Sequence, residues 1–526
     1  MKAVGLRQSM ASIHGWLGLI AGWIVFAMFL TGTASYFRPE ITRWMQPELR
    51  PAQVSPAIAA GTAVAHLQRV SPNDEQWFVY LPDERTPATR IFTRAKPNTD
   101  PKAKPIRKPE LRLDPRTGEE LTARDTRGGE HLYRFHFQLQ LPHPWGRWLA
   151  GLCAMAMLTA ILSGVITHKR IFTDFFTLRW GKGQRTWLDA HNASAVLALP
   201  FHAMITYTGL ITLVAMYMPW PAVANYTKPA TYFEEALGRE TEVEAAGRPA
   251  PLTPVAPLVT TAMREWQGAK PGRIVIRNPN DANATVMLVR SSTDRLSPRG
   301  ASIVFSGADG HRLSASPEPG PAAQTASVML GLHMGWFAGP LLRWTYFLLG
   351  LTGAAMVGSG LVLWTIKRTK PGASPFFGLR LAERLNIGVI ACLPIGMAAS
   401  LLANRLIPAD LPGRADMEVA AMFWVWFGLT LLACIRPVTR AWVEMLRFAA
   451  LAFAAIPVAN AMTTDRGLIP SVTSGDGLFV AFDLTMFAIA LLFALAARHG
   501  AVKAAAPIKA PRRARQAPVR EVADVA

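Results

Sequence analysis

Residues 12–32 read "SIHGWLGLIAGWIVFAMFLTG", one histidine, His14, at the head of an uncharged run punctuated by glycine. The run is long enough for a helix to cross ~30 Å of hydrocarbon, which takes ~20 apolar residues. A lone imidazole at such a place is usually a helix-end or interface residue rather than a ligand. Whether the stretch recurs decides between the two.

The same composition does recur. Of the 526 residues, 51% are hydrophobic and only 17% are charged, fewer than the ~25% of an ordinary soluble protein. Uncharged runs cover 16–37, 148–167, 190–227, 344–366, 385–404, 419–435, 448–464 and 484–497, and predict eight membrane spans. The last is extended by 477–482, which leaves Asp483 to be buried or placed shallowly. The basic residues of the short loops set the orientation. Lys2 and Arg7 precede the first span; Lys169, Arg170, Arg179, Lys182 and Arg185 follow the second; Lys367, Arg368, Lys370, Arg380 and Arg384 follow the fourth. Arg436 and Arg440 follow the sixth, and a tail with Arg512, Arg513 and Arg515 follows the eighth. All fall on one side if both termini are cytoplasmic, so the net charge of +20 is a topology signal and calls for no nucleic acid. The first span lacks a small-residue cleavage site and reads as a retained anchor. Cys153, Cys392 and Cys434 all lie in apolar spans, provide no disulfide framework and no C-x-x-C-H haem attachment, and read as packing residues.

Two long segments of soluble composition, 38–147 and 218–343, fall on the outer side. In the first, "AIAAGTAVAHLQRV" reads as a helix, "QWFVYLP" as a strand, and "LRLDPRTGEEL" as two strand halves around a turn. The second repeats that order with "PLVTTAMREWQG", "GRIVIRNP", "TVMLVR" and "ASIVFSGADGHRLSA". Each predicts a small α+β domain. The stretch "KPNTDPKAKPIRKPE" reads as a solvated loop.

The spans repeat as well. His14 precedes Thr31-Gly32 by 17 residues, and His191 precedes Thr208-Gly209 by 17. Arg147 precedes Ser163-Gly164 by 16 residues, and Arg343 precedes Ser359-Gly360 by 16. Upstream of those arginines stand His136, by 11 residues, and His333, by 10. The unit is span, α+β domain, span, used twice, which predicts a four-helix core with pseudo-two-fold symmetry about the membrane normal. His14 and His191 then share a depth near the cytoplasmic face, and His136 and His333 share one near the other. Two such pairs suit two bis-histidine haems, because neutral imidazole is a good iron ligand and facing helices can hold the ring between them. Gly18 and Gly22 follow His14 at i+4 and i+8 and would clear space beside it, or merely permit tight helix packing. A zinc or copper site would want three or four donors at one depth, and no such cluster is visible.

The remaining histidines divide. His131 lies five residues before His136, on another helical face, and His202 lies 11 residues after His191, near its face; both are alternative ligands. His202 breaks the repeat, since Val25 is its counterpart. His143 lies between two prolines in extended chain, and His168 reads as an interface residue.

"HGWLGLIAGWIVFAMFLTGTASYFRPEI", "LHMGWFAGPLLRWTYFLLGLTGAAMVGSGLVLWTIKR" and the D-P-x-T-G turn of 114–118 resemble the PepSY-associated transmembrane helix family, over about residues 8–370. That family includes iron-regulated bacterial inner-membrane proteins and ferric-siderophore reductases. The resemblance implies two periplasmic PepSY domains, b-type haems in the four-helix core, and electron transfer from the cytoplasmic side to a periplasmic ferric chelate. It places ligand positions on His14, His191, His136 and His333. The organisation then reads: first span 8–37, first periplasmic PepSY-like domain 38–130, second span 131–170, third span 187–217, second PepSY-like domain 218–330, fourth span 331–368. An accessory bundle of four spans at 385–498 and a basic cytoplasmic tail at 499–526 lie outside the resemblance.

The expected protein is thus a multi-pass haem-b oxidoreductase of the bacterial inner membrane, bathed in lipid and carrying two haems, with a periplasmic ferric siderophore or other iron chelate as acceptor. No G-x-G-x-x-G or other nucleotide-binding loop occurs, so a cytoplasmic partner protein or a quinol is expected as donor. The rival expectation is a non-enzymatic transporter, or an assembly or sensing protein, whose PepSY-like domains bind and whose histidines pack. The topology is open to direct test. Reporters fused near residues 110 and 290 should read periplasmic and those near 180 and 375 cytoplasmic; the reverse pattern would overturn the orientation.

Overall fold

The computed structural model describes residues 5–50, 52–95, 108–168, 177, 179, 181–227, 243–299, 301–316, 320–370 and 372–505. Lys2, Lys169, Arg170, Arg512, Arg513, Arg515 and most of the Lys- and Pro-rich loop lie outside the described residues.

The first unit begins with α1 (Leu6–Ile20) and α2 (Gly22–Ser35), followed by α3 (Arg38–Trp44) and α4 (Pro56–Val70). Strands β1 (Gln76–Tyr80), β2 (Thr89–Arg94) and β3 (Leu111–Leu113) lead to α5 (Gly128–Gln138) and α6 (Trp145–Thr167). The second unit has a similar order, with two short helices (Val214–Tyr217 and Trp220–Asn225) after α8 and a fourth strand: α7 (Gln184–Leu197), α8 (Leu199–Thr212), α9 (Val255–Glu265), β4 (Pro271–Arg277), β5 (Thr285–Arg290), β6 (Ser302–Ser306), β7 (Arg312–Ala315), α10 (Pro321–Met334) and α11 (Pro340–Arg368). Four further long helices follow, with a short one (Leu468–Thr473) before the last: α12 (Phe377–Leu406), which contains a π turn at Gly388–Cys392, α13 (Arg414–Ile435), α14 (Val438–Thr463) and α15 (Gly477–Ala505).

Among the described residues, six helices are long and apolar enough to cross a membrane, or eight if α1/α2 and α7/α8 each count as one bent span. The two bends, 64° and 68°, fall at equivalent places. In the second, Pro200 stands in the first turn of α8, where its missing N–H costs nothing. In the first, Gly22 opens α2.

The soluble segments do not stand apart as two domains. Their strands form one antiparallel sheet in the order β3-β2-β1-β4-β5-β6-β7. The seam is β1 against β4, with Trp77 opposite Ile276 and Val79 opposite Ile274. Alternation along β1 sends Trp77 and Val79 to one face, and α4 and α9 both cover that face. Ala59, Ala60 and Ala63 let α4 approach closely while Val259 and Ala262 do the same for α9, giving a single core around Trp77, Ile274 and Leu288. In the turn after β3, the Asp114 carboxylate accepts the N–H groups of Arg116 and Thr117, and Gly118 takes φ +74° against the Thr62 carbonyl, a place only glycine fits.

The C-terminal helices pack on the outer flank of the first unit. Leu393, Met422, Phe453 and Phe479 meet Ile41, Trp44, Leu132 and Phe135. Asp483 is fully buried there and accepts hydrogen bonds from Trp44 Nε1 (3.2 Å) and Asn460 Nδ2 (3.1 Å), the pairing a buried carboxylate requires. Cys153 and Cys392 are buried as expected of packing residues, whereas Cys434 is exposed on α13.

The β1–β4 seam makes a specific prediction. Phe78 and Val275 are direct partners across it, within the Cα separation a disulfide can bridge. A Phe78→Cys, Val275→Cys protein should form an intramolecular crosslink on oxidation, found as one disulfide-linked peptide by mass spectrometry. Failure to crosslink would mean two separate sheets.

Candidate functional site

Four histidines come together in two pairs. His14 on α1 faces His191 on α7 with ring centres 6.0 Å apart, and His136 on α5 faces His333 on α10 with ring centres 6.1 Å apart. Each pair takes one imidazole from each unit. His136 and His333 do not ride on the spans themselves: they stand on the short helices α5 and α10 that precede α6 and α11. The extra residue between His136 and its arginine is taken up in the turn after α5, where Leu139 and Gln140 both adopt left-handed backbone; α10 stops at the single left-handed Gly335.

Every one of these imidazoles is held in the same way. His14 Nδ1 lies 2.8 Å from Ala160 O, His191 Nδ1 2.8 Å from Met356 O, His136 Nδ1 2.7 Å from Met28 O, and His333 Nδ1 3.0 Å from Ile205 O. Each acceptor precedes by four residues the glycine of a Ser/Thr-Gly pair: Gly164, Gly360, Gly32 and Gly209. The reason is geometric. A helical Cβ leans over the preceding turn and covers the carbonyl there; glycine leaves that carbonyl bare. A Cβ built on Gly32 would lie 2.6 Å from His136 Nδ1, and one on Gly209 2.8 Å from His333 Cε1. On Gly164 and Gly360 it would come within 3.1 Å of His14 Cε1 and 3.0 Å of His191 Cε1. The hydroxyl before each glycine donates to the carbonyl four residues back, from Thr31, Ser163, Thr208 and Ser359 at 2.6–2.7 Å.

A carbonyl can only accept, so Nδ1 carries the proton in all four rings and Nε2 keeps a free lone pair. Two imidazoles on opposite faces of one metal ion, at the ~2.0–2.1 Å of metal–histidine bonds and with each ring centre about 1.1 Å behind its nitrogen, have centres roughly 6.3 Å apart. The observed 6.0 and 6.1 Å fit that requirement. Among the described residues no group of three or more His, Cys, Asp or Glu could hold a metal ion. A bare ion would lack donors here, while a porphyrin brings four of its own and needs only two axial ligands.

Room is present beside each pair. A cavity of about 450 Å³ is lined by His136 and His333 together with Phe29, Tyr36 and Phe201, on the side that carries the sheet. A second, of about 530 Å³, is lined by His14 and His191 with Trp16, Leu17 and Trp364 on the far side. Both volumes lie within the range of cofactor pockets. Val25 and Met157 line both cavities and form the wall between them.

The alternative ligands stand elsewhere. His131 turns away, with Nε2 3.2 Å from Met422 Sδ and its ring against Phe423. His202 is fully buried and lines the far-side cavity, but no second imidazole faces it: Nε2 lies 3.3 Å from Thr352 Oγ1 and its ring packs on Phe29. His168 caps α6 and meets Asn192. Of the glycines near His14, both Gly18 and Gly22 line the cavity, Gly18 opening on free space and Gly22 also packing on Leu361. The seat of each imidazole is therefore in the facing helix. The Ser/Thr-Gly pairs were visible in the sequence as repeat markers, and their fixed spacing was the signal for this role.

Compared with known families, residues 11–367 match the model of the PepSY-associated TM region. The match ends just ahead of α12. An uncharacterized protein of Pseudomonas aeruginosa is 27% identical over 407 residues, which cover 72% of this chain and 97% of that protein.

Proposed function

The chain belongs to the family of PepSY-associated TM regions, and on that premise we propose that it is a haem-b oxidoreductase of the bacterial inner membrane. Electrons enter on the cytoplasmic side at His14 and His191, continue to His136 and His333, and reduce a periplasmic Fe(III) chelate, a ferric siderophore being the substrate that suits best. The observation that carries the reading is the doubled bis-imidazole arrangement, with each Nδ1 tied to a glycine-bared carbonyl and each Nε2 free.

Haem supplies a one-electron carrier at each pair when bound. The chain's own residues do the rest. The Nδ1–H bonds fix the tautomer and raise the basicity of the ligating nitrogen. Val25 and Met157 form an apolar wall between the pairs, and Phe29 and Phe201 line the sheet-side cavity. Two carriers answer the need to move charge across ~30 Å of hydrocarbon, which neither pair spans alone. Reduction of the substrate iron to Fe(II) weakens its hold by hard oxygen donors, which favours release. A partner protein or a quinol fits as donor, since no nucleotide-binding loop is present in the sequence.

The test is haem content per protein, by pyridine haemochrome assay and reduced-minus-oxidised spectra. The wild-type chain should hold two haems. His14→Ala should lose about half, and His14→Ala with His191→Ala little more, because residues acting as one unit are non-additive. His14→Ala with His136→Ala should lose nearly all. Gly164→Ala should reproduce His14→Ala, as its Cβ would press on the ring at 3.1 Å. An unchanged spectrum in His14→Ala returns that histidine to a packing role.

A further inference from the structure

Arg147 and Arg343 hold equivalent places in the first turns of α6 and α11. A cation there opposes the positive end of the helix dipole and calls for an anion close by. Arg343 has one, Glu40 Oε1 at 2.9 Å. Arg147 has no carboxylate partner among the described residues. Its Nε donates to Gln138 Oε1 at 3.1 Å, its guanidinium lies 5.1 Å over the Phe137 ring, and it lines the sheet-side cavity. The other two cations on that cavity are engaged already: Arg38 by Glu130 at 3.1 Å and Arg85 by Glu40 at 2.7 Å. The far-side cavity has a parallel. Arg368, in the last turn of α11, stacks on Trp364 at 3.7 Å, donates to its carbonyl, and lines the cavity beside the exposed Lys367, neither cation having a carboxylate partner among the described residues.

Two apolar cavities thus each end in a half-buried guanidinium without a counter-charge, at opposite ends of the membrane core. A charge so placed is costly unless paired. We propose that Arg147 and Arg368 bind the carboxylates of the cavities' occupants. The occupant of each is then a flat apolar molecule with an acidic edge, the haem of the preceding reading on which this inference rests. The carboxylate edges face opposite sides of the membrane, and the apolar edges face each other across Val25 and Met157. Guanidinium suits the task because its planar fork matches a carboxylate with two parallel hydrogen bonds.

The experiment titrates the full-length apoprotein in detergent with haem b and with haem b dimethyl ester, whose carboxylates are blocked. His14→Ala isolates the sheet-side site and His136→Ala the far-side site. The diester should bind each site about 10- to 100-fold more weakly than haem, the worth of a charged hydrogen bond. R147Q should weaken haem at the sheet-side site by a similar factor and leave the diester unchanged, with R147K recovering part of the loss. R368Q should act in the same way at the far-side site only. Equal weakening of haem and diester by R147Q would make the arginine structural and overturn the proposal. So would equal binding of the two ligands by the unsubstituted arginine, although haem binding itself would stand. An R147Q protein with normal haem affinity and impaired reduction of an anionic iron chelate would move the residue to acceptor binding and likewise overturn it. A wild-type chain that takes up neither ligand fails one step earlier, at the haem reading.

Discussion

The core is organised by one interaction, the hydrogen bond from an imidazole Nδ1 to a helix carbonyl that glycine leaves uncovered. A buried imidazole N–H without an acceptor would cost 1–3 kcal/mol or more, so the bond is a condition for placing histidine there at all. It also does two structural jobs. It fixes each ring beside the cavity it lines, and it ties α1 to α6, α7 to α11, α5 to α2 and α10 to α8. All four ties lie within a unit, whereas both imidazole pairs form between units. Internal cohesion and the shared sites therefore rest on the same four side chains.

The departures from symmetry carry information because the rest agrees so closely. Val25 and His202 occupy equivalent positions between the two sites, one apolar and one polar. His202 is held by Thr352 and packs on Phe29, so the second unit contributes a polar group where the first contributes a methyl surface. At the helix entries, Glu40 of the first unit serves Arg343 and Arg85 together, whereas among the described residues the second unit supplies no matching acid for Arg147.

Periodicity and spacing made much of this legible. Span positions, most of the helix and strand order of the soluble segments (β2 excepted), and the matching of His14 with His191 and of His136 with His333 follow from local pattern and a repeat. The β1–β4 seam does not. Both strands alternate like any half-buried strand, and nothing local in Trp77–Val79 or Ile274–Ile276 names a partner some 200 residues away. The role of the Ser/Thr-Gly pairs was hidden for a different reason. Small residues in a span read equally well as helix packing, and only the facing ring tells Gly164 from Gly22, which meets Leu361 instead. His131 and His202 could not be separated from ligands by helical phase alone. Their exclusion from the pairs needed Met422 and Thr352, which are distant in sequence.

An imidazole pair drawn from two units keeps its geometry only if the units are fixed to within about half an ångström, and helix packing in lipid offers little hydrophobic driving force to do so. On the sheet side, the β1–β4 seam makes the two soluble segments one body. Arg85, from the β1–β2 connection, binds Glu40 of the first unit, and Glu40 in turn binds Arg343 of the second. On the far side no strand is found among the described residues, and the bond falls to α12. Its Asn386, almost fully buried, accepts from Trp23 Nε1 of the first unit at 2.9 Å and donates to Leu361 O of the second at 3.1 Å. Around it Leu379 and Ala382 close over Leu19, Leu361 and Trp364. The helices beyond the family match thus have a mechanical reason to be where they are: α12 braces the His14–His191 end as the sheet braces the other.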